Sequence, residues 1–185
     1  HMTAWYDEDG NQVVENVYDE NGRVTAQTDA EGHTAYLEYG DGVTIMTDNR
    51  GNETRYTYDE QGRGTGVTYA DGTTTSTEYD GEGRIAQTTD ELGMTTSYTY
   101  DEQGNVLTET RDDGSRMSYG DYCWDQPGTI TDYEGNTTVV AYDELGNALT
   151  VTDGEGNTTF FTYDEAGRML SMTDANGAEY CFAYD

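Results

Sequence analysis

The chain has 185 residues, 33% of them hydrophobic by composition, with 17 tyrosines, 23 glycines, one proline and a formal net charge of −30. All eight basic residues are arginines, and so acidic a surface excludes nucleic acid and anionic lipid headgroups as partners, since either must have its phosphates neutralised. No apolar run is long enough to insert into a membrane as a helix, and the periodic tyrosines and threonines exclude a disordered chain and favour strands.

In chain order, His1 and Met2 read as a cloning remnant, and residues 3–17, opening Trp5-Tyr6-Asp7-Glu8-Asp9-Gly10, read as an incomplete first repeat of a chain cut from a longer protein. From residue 18 to 185 about eight repeats follow as a single array. Tyr58, Tyr79, Tyr100, Tyr142, Tyr163 and Tyr184 keep an interval of 21 residues, with Asp121 standing in once, and Gly51, Gly72, Gly93, Gly114, Gly135, Gly156 and Gly177 keep the same interval. A fixed period of this size signals repeat architecture. Between Tyr39 and Tyr58 the interval drops to 19, which predicts a bulge or shortened strands near Gly42.

The stretch from Tyr79 to Tyr100 shows the unit. Tyr79-Asp80-Gly81-Glu82-Gly83 is a turn, Arg84–Thr89 a strand, Asp90-Glu91-Leu92-Gly93 a second turn and Met94–Tyr100 a second strand, on whose one face Tyr98 and Tyr100 alternate. Glycine closes each turn because it tolerates positive φ, and Asp or Asn accompanies it. The fold is therefore all-β, an antiparallel β-hairpin repeat array of about 21 residues per hairpin, with strands of about seven residues. The second strands place Tyr56 with Tyr58, Phe161 with Tyr163 and Phe182 with Tyr184 at the positions of Tyr98 and Tyr100. Along the first strands, Leu107, Leu149, Val151, Leu170 and Met172 fall on one face and Ile85, Val106 and Met169 on the other, so both faces are partly apolar and neither is expected to be simply open to water. In Tyr119–Gly128 the consensus fails while the phase is kept, which predicts a reshaped turn or an edge contact, since Pro127 removes a ladder donor.

Among candidate sites, the paired acids at the turns, such as Asp59-Glu60 and Asp164-Glu165, read as solvated turns rather than calcium ligands, because equivalent turns lie about 9.5 Å apart. Arg23, Arg63, Arg84 and Arg168 follow the turn glycines and are placed to pair with the turn acids. Cys123 and Cys181 are almost three periods apart, on the order of 25–30 Å, and are expected to be two free thiols unless the sheet curls back on itself. His33 has no nucleophile and acid to complete a triad, so neither catalytic nor metal residues are assigned, no cofactor is implied, and the chain reads as no enzyme. The stripe Tyr56, Tyr58, Tyr98, Tyr100, Phe161, Tyr163, Phe182 and Tyr184 is the candidate binding surface, either packing within the sheet or stacking on sugars and peptides.

The strings Tyr18-Asp19-Glu20-Asn21-Gly22-Arg23, Tyr58-Asp59-Glu60-Gln61-Gly62-Arg63 and Tyr163-Asp164-Glu165-Ala166-Gly167-Arg168 resemble the YD repeat of RHS proteins, over nearly the whole chain. That family includes bacterial polymorphic toxins, shell components of insecticidal toxin complexes, wall-associated proteins and teneurins. The resemblance implies one long, twisted sheet spiralling into a hollow shell that encapsulates a toxin or other cargo domain. It further implies a secreted or cell-surface location, and as partners the remainder of a larger RHS polypeptide and its cargo. The proline-containing autoprotease segment of RHS toxin shells has no match here, so no catalytic residue is carried over. The alternative function is an adhesion module presenting tyrosines to a glycan or a surface protein, and exposed terminal strands make edge self-association an expectation.

Overall fold

The computed structural model describes residues 3–185, and the two residues read as a cloning remnant lie outside them. The described chain is all β, with 18 antiparallel strands in one open sheet. Two compact units divide it: residues up to Tyr79 with Thr88–Met94, and Asp80–Gln87 with Thr95–Asp185. In the first unit lie β1 (Ala4–Tyr6), β2 (Gln12–Tyr18), β3 (Val24–Asp29), β4 (Thr34–Gly40), β5 (Val43–Thr47), β6 (Glu53–Tyr58), β7 (Gly64–Thr68) and β8 (Thr74–Tyr79). β9 (Ile85–Thr89) is shared between the units. The second holds β10 (Thr95–Tyr100), β11 (Val106–Arg111), β12 (Arg116–Gly120), β13 (Thr129–Thr131), β14 (Thr137–Tyr142), β15 (Ala148–Thr152), β16 (Thr158–Tyr163), β17 (Met169–Thr173) and β18 (Glu179–Cys181). Within each unit every strand pairs antiparallel with its chain neighbours, β1 to β2 through β7 to β8 and β10 to β11 through β17 to β18.

One period thus makes one hairpin, as the spacing predicts, but strands such as β9, β10 and β11 run five or six residues rather than seven. The turns take up the difference. In the turn from Asp80 to Arg84, the Asp80 N–H donates to the Arg84 carbonyl at 2.8 Å and the Gly83 N–H to the Asp80 carbonyl at 3.0 Å, with Gly83 at φ +85°. This is a three-residue hairpin loop closed by a left-handed glycine. Its register explains the mixed faces of the first strands. Tyr98 opposes Glu109 and Thr99 opposes Thr108, but Tyr100 opposes Val106, so Leu107 is an extra residue and strict alternation fails there. The same bulge recurs before Tyr18, Tyr58, Tyr142 and Tyr163. Counting alternation straight through Val106 and Leu107, or Met169 and Leu170, therefore assigns faces wrongly.

The hairpin at Gly42 corrects a second expectation. Its loop has only two residues, Asp41 and Gly42, with Gly40 opposite Val43 and Tyr39 opposite Thr44, and no bulge intervenes. One residue lost from the loop and one from the bulge make up the drop from 21 to 19, while β4 keeps seven residues. The segment between β12 and β13 is a reshaped turn, as its composition predicts.

The sheet has two chemically distinct faces. One carries threonine pairs directly across strands, with hydroxyl–hydroxyl bonds between Thr28 and Thr34 (2.8 Å), Thr99 and Thr108 (2.7 Å), Thr131 and Thr137 (3.0 Å) and Thr152 and Thr158 (2.8 Å). The other carries aromatic and aliphatic pairs such as Tyr56 with Val67, Val140 with Val151 and Phe161 with Met172. Cross-strand pairs of both kinds are the stabilising unit of a sheet. Among the described residues no hydrophobic side chain is fully buried, and the only buried polar one is Thr108, 7% exposed. Within each unit strands contact only their chain neighbours, so no second layer covers either face there.

Candidate functional site

The functional geometry concentrates at the turns that follow tyrosine. Except in the two-residue loop at Gly42 and in the segment after Tyr122, one carboxylate oxygen of the leading aspartate accepts two backbone N–H groups and the other accepts the side chain four residues on, and the same cradle recurs at Asp48, Asp132 and Asp153. For Asp80 these are the N–H groups of Glu82 (3.0 Å) and Arg84 (2.8 Å) and Arg84 Nε (2.7 Å); for Asp143 they are Leu145 (2.9 Å), Asn147 (2.8 Å) and Asn147 Nδ2 (2.9 Å). The Asn147 side chain, then its N–H, holds the Asp143 carboxyl below the usual range. Partial desolvation pushes the Asp80 and Asp59 carboxyls up, but bonds from Arg84 and Arg63 outweigh it and both end lowered. Such depression is what hydrogen bonds to the charged form produce. These aspartates are therefore structural acceptors, not merely solvated charge, and among the described residues no three acidic, histidine or cysteine side chains converge as metal ligands.

Arg23, Arg63, Arg84 and Arg168 pair with Asp19, Asp59, Asp80 and Asp164 at 2.7–2.8 Å, as the spacing predicts. Each also stacks on the tyrosine 16 residues later, a contact the sequence reading missed: Arg23 over Tyr39 (4.4 Å), Arg63 over Tyr79 (4.2 Å), Arg84 over Tyr100 (4.6 Å) and Arg168 over Tyr184 (5.0 Å). The same tyrosine hydroxyl donates back to the strand that follows the arginine. Tyr39 reaches the Val24 carbonyl (2.7 Å), Tyr79 that of Gly64 (2.8 Å), Tyr100 that of Ile85 (2.7 Å) and Tyr184 that of Met169 (2.8 Å). One tyrosine thus ties its hairpin to the preceding one by a hydrogen bond and a cation–π contact, each worth on the order of 1 kcal/mol. The recurrent pair Arg at i and Tyr at i+16 is the signal from which this could have been read.

The predicted aromatic stripe therefore divides. Tyr100 and Tyr184 are engaged in these ties, Tyr163 is half-buried beside a turn carrying Asn147 in place of arginine, and Tyr58 is 38% exposed. Tyr56, Tyr98 and Phe161 lie farther into the sheet, opposite Val67, Glu109 and Met172. Phe182 and Tyr184 fall beyond β18, which ends at Cys181, although the Phe182 N–H still donates to the Leu170 carbonyl at 2.9 Å. Cys123 and Cys181 are free thiols.

Two further clusters break the repeat. Glu109 occupies the place that Val67, Ile130, Val151 and Met172 hold in other periods, on the aromatic face. It accepts hydrogen bonds from Tyr119 (2.8 Å) and Tyr133 (3.2 Å), and Arg111 stacks on Tyr133 at 3.6 Å. Desolvation, then the bond to Glu109, pushes the Tyr119 hydroxyl up to about 12. In the reshaped turn, Asp121 (φ +51°) and Trp124 (φ +62°) are left-handed, and Trp124 is 78% exposed. Cys123 and Gln126 exchange backbone bonds of 2.9 and 3.1 Å across Trp124 and Asp125. The left-handed Asp121 carries the chain one residue on, so that Tyr122 donates to the Val106 carbonyl (2.5 Å) in place of the missing tyrosine.

An antiparallel array of hairpins, most of them turning through Tyr-Asp-x-x-Gly, defines a repeat protein whose working element is the sheet itself. The RHS repeat matches residues 41–74, 79–116 and 142–179, more than half of the chain, and the chain belongs to that family. Among solved structures, TcdB2-TccC3-TEV is similar over 96% of this chain and 16% of its own, at 15% identity and a TM-score of 0.35. The Tc holotoxin pore of Photorhabdus luminescens is similar over 91% and 14%, at 15% identity and a TM-score of 0.30. A porin-like protein from Bacteroides uniformis is similar over 97% and 86%, at 13% identity and a TM-score of 0.28. The chain spans about a sixth of the length of the TcdB2-TccC3-TEV chain. No curated protein matches the sequence.

Proposed function

We propose that this chain is a non-catalytic structural segment of a larger RHS polypeptide, forming part of a β-sheet wall that encapsulates a toxin or other cargo domain at or outside the cell surface. In this reading residues 3–185 act as a single array. The observation that carries it is a sheet with no buried hydrophobic core among the described residues, in which neighbouring hairpins are tied turn to turn. Such a sheet is extended by adding hairpins, and its half-buried aromatic face gains from being covered by something beyond these residues. The adhesion alternative is less well supported, because Tyr100 and Tyr184 of the stripe are engaged in hydrogen bonds within the sheet. The test is protease protection in the complete RHS polypeptide. A cargo domain should resist digestion when residues 3–185 are present and be cleaved when they are deleted; equal cleavage of both forms rejects the wall.

A further inference from the structure

The short hairpin at Asp41 and Gly42 leaves a notch of about 510 Å³ between the turns of its neighbours, lined by Arg23, Tyr39, Asp41, Tyr58, Asp59 and Glu60 among others. We propose that this notch binds an arginine side chain presented by another polypeptide segment.

The chain itself shows how the equivalent space is filled elsewhere. Where a full turn precedes Tyr100, the Arg84 guanidinium occupies the space. It bonds Asp80 (2.7 Å) and Glu82 (3.1 Å), donates to the Asp101 carbonyl (3.2 Å) and stacks on the Tyr100 ring (4.6 Å). At the notch, Tyr58 corresponds to Tyr100 and Asp59 to Asp101, but the two-residue loop deletes the arginine and leaves Asp41 as the acid of the shortened turn. Among the described residues no guanidinium stacks on Tyr58, which is 38% exposed and lines the cavity. Arg23, which also lines the cavity, is already held by Asp19 and Tyr39. Tyr58, Asp41, Asp59 and Glu60 thus line a gap where the arginine turns at Arg23, Arg63, Arg84 and Arg168 each supply a guanidinium. Arginine suits this better than lysine, because its planar fork stacks on an aromatic while donating in its own plane. The net charge of −30 favours approach of any cation, so the specificity must come from the notch.

The experiment is an NMR titration of the whole chain with blocked arginine (Nα-acetyl-arginine methylamide), and with the corresponding lysine and citrulline compounds, at 150 mM salt. Saturable shifts confined to Asp41, Gly42 and the Tyr58 ring are expected with arginine, weaker with lysine and absent with citrulline. Tyr58→Leu should weaken binding about two- to fivefold, the range of an exposed cation–π contact, while Tyr58→Phe keeps the ring and the binding. Grafting the segment 59–63 in place of residues 40–42 supplies an internal arginine and should abolish binding in a folded protein. Equal response to lysine, shifts spread over all acidic turns, or indifference to Tyr58→Leu would each overturn the proposal.

Discussion

The turn from Asp80 to Arg84 and the rebuilt turn from Asp121 to Gly128 solve one problem by different means. The first is a three-residue loop in which aspartate and glycine satisfy the backbone and arginine stacks on Tyr100. The second has neither the aspartate cradle nor the arginine, bends through two left-handed non-glycine residues and holds a tryptophan out to solvent. Yet both ends of the tyrosine tie survive. Tyr122 still reaches the Val106 carbonyl, and Tyr142, in the next hairpin, reaches the Pro127 carbonyl (3.1 Å) of the rebuilt turn itself. What the regular and rebuilt turns share is the hydroxyl bond, made by Tyr39, Tyr79, Tyr100, Tyr122, Tyr142 and Tyr184 alike, and the cation–π contact is an addition to it at four of them.

Acid should break the regular turns first and produce the largest effect. The carboxyls of Asp19, Asp59, Asp80, Asp101, Asp143 and Asp164 are lowered in the folded chain. Their stabilisation is therefore fully present above the unfolded value of about 3.9 and is lost as pH falls through the folded values. Thermal melts followed by circular dichroism should show little change from pH 7 to 5 and a steep loss of stability below about pH 4. A melting temperature that stays level to pH 2 would contradict the structural role given to these aspartates.

Next in size is a glycine contrast between the two turns. A Cβ added at Gly128 would lie 2.6 Å from the Asp121 carbonyl oxygen, whereas one added at Gly81 meets nothing within 4 Å, and Gly81 is not left-handed. Gly128→Ala should destabilise by about 1–3 kcal/mol through overpacking. Gly81→Ala should be neutral or add a few tenths, by restricting the unfolded chain. Urea denaturation of the two variants measures both, and equal midpoints would show that the rebuilt turn relaxes freely.

Much of this was legible in the sequence. The interval of 21 residues gives one hairpin per period, and alternation puts Tyr98 and Tyr100 on one face, as observed. The bulge at Leu107 was not, because it depends on how the three-residue loop hands over to the following strand and leaves no residue type of its own. The tie from Arg84 to Tyr100 was hidden for another reason. Its partners lie 16 residues apart, and only the recurrence of that interval at Arg23, Arg63, Arg84 and Arg168 points to it in the sequence. At Asp121 the missing tyrosine was visible, but its replacement by Tyr122 requires a left-handed aspartate that composition does not announce.

If the hydroxyl bond is the shared element, removing it should cost the same in both regions. Tyr100→Phe and Tyr122→Phe should each lose about 1 kcal/mol, the net worth of one hydrogen bond. Arg84→Ala should cost a comparable amount, since it removes the stack on Tyr100 while its ion pairs are partly exposed and screened. A much smaller loss for Tyr122→Phe would mean that the rebuilt turn is held by its own bonds, among them Thr129 Oγ1 to Asp121 Oδ2 at 2.5 Å, rather than by the tyrosine.

The smallest effect concerns Trp124, and its sign is the informative part. A two-residue loop whose first central residue is left-handed ordinarily takes glycine there, and a bulky side chain held at φ +62° costs on the order of 1 kcal/mol or more. With its side chain 78% exposed, the tryptophan recovers little of that through burial. Trp124→Gly should therefore stabilise the chain by at most about 1 kcal/mol, because glycine also gains freedom in the unfolded state and so offsets part of the strain relieved. A melting temperature raised by a degree or more would confirm that the rebuilt turn holds its tryptophan against the local preference of the backbone. A lowered one would mean that the indole makes contacts stabilising enough to justify its conformation, and the contrast with the regular turns would then be one of packing rather than strain.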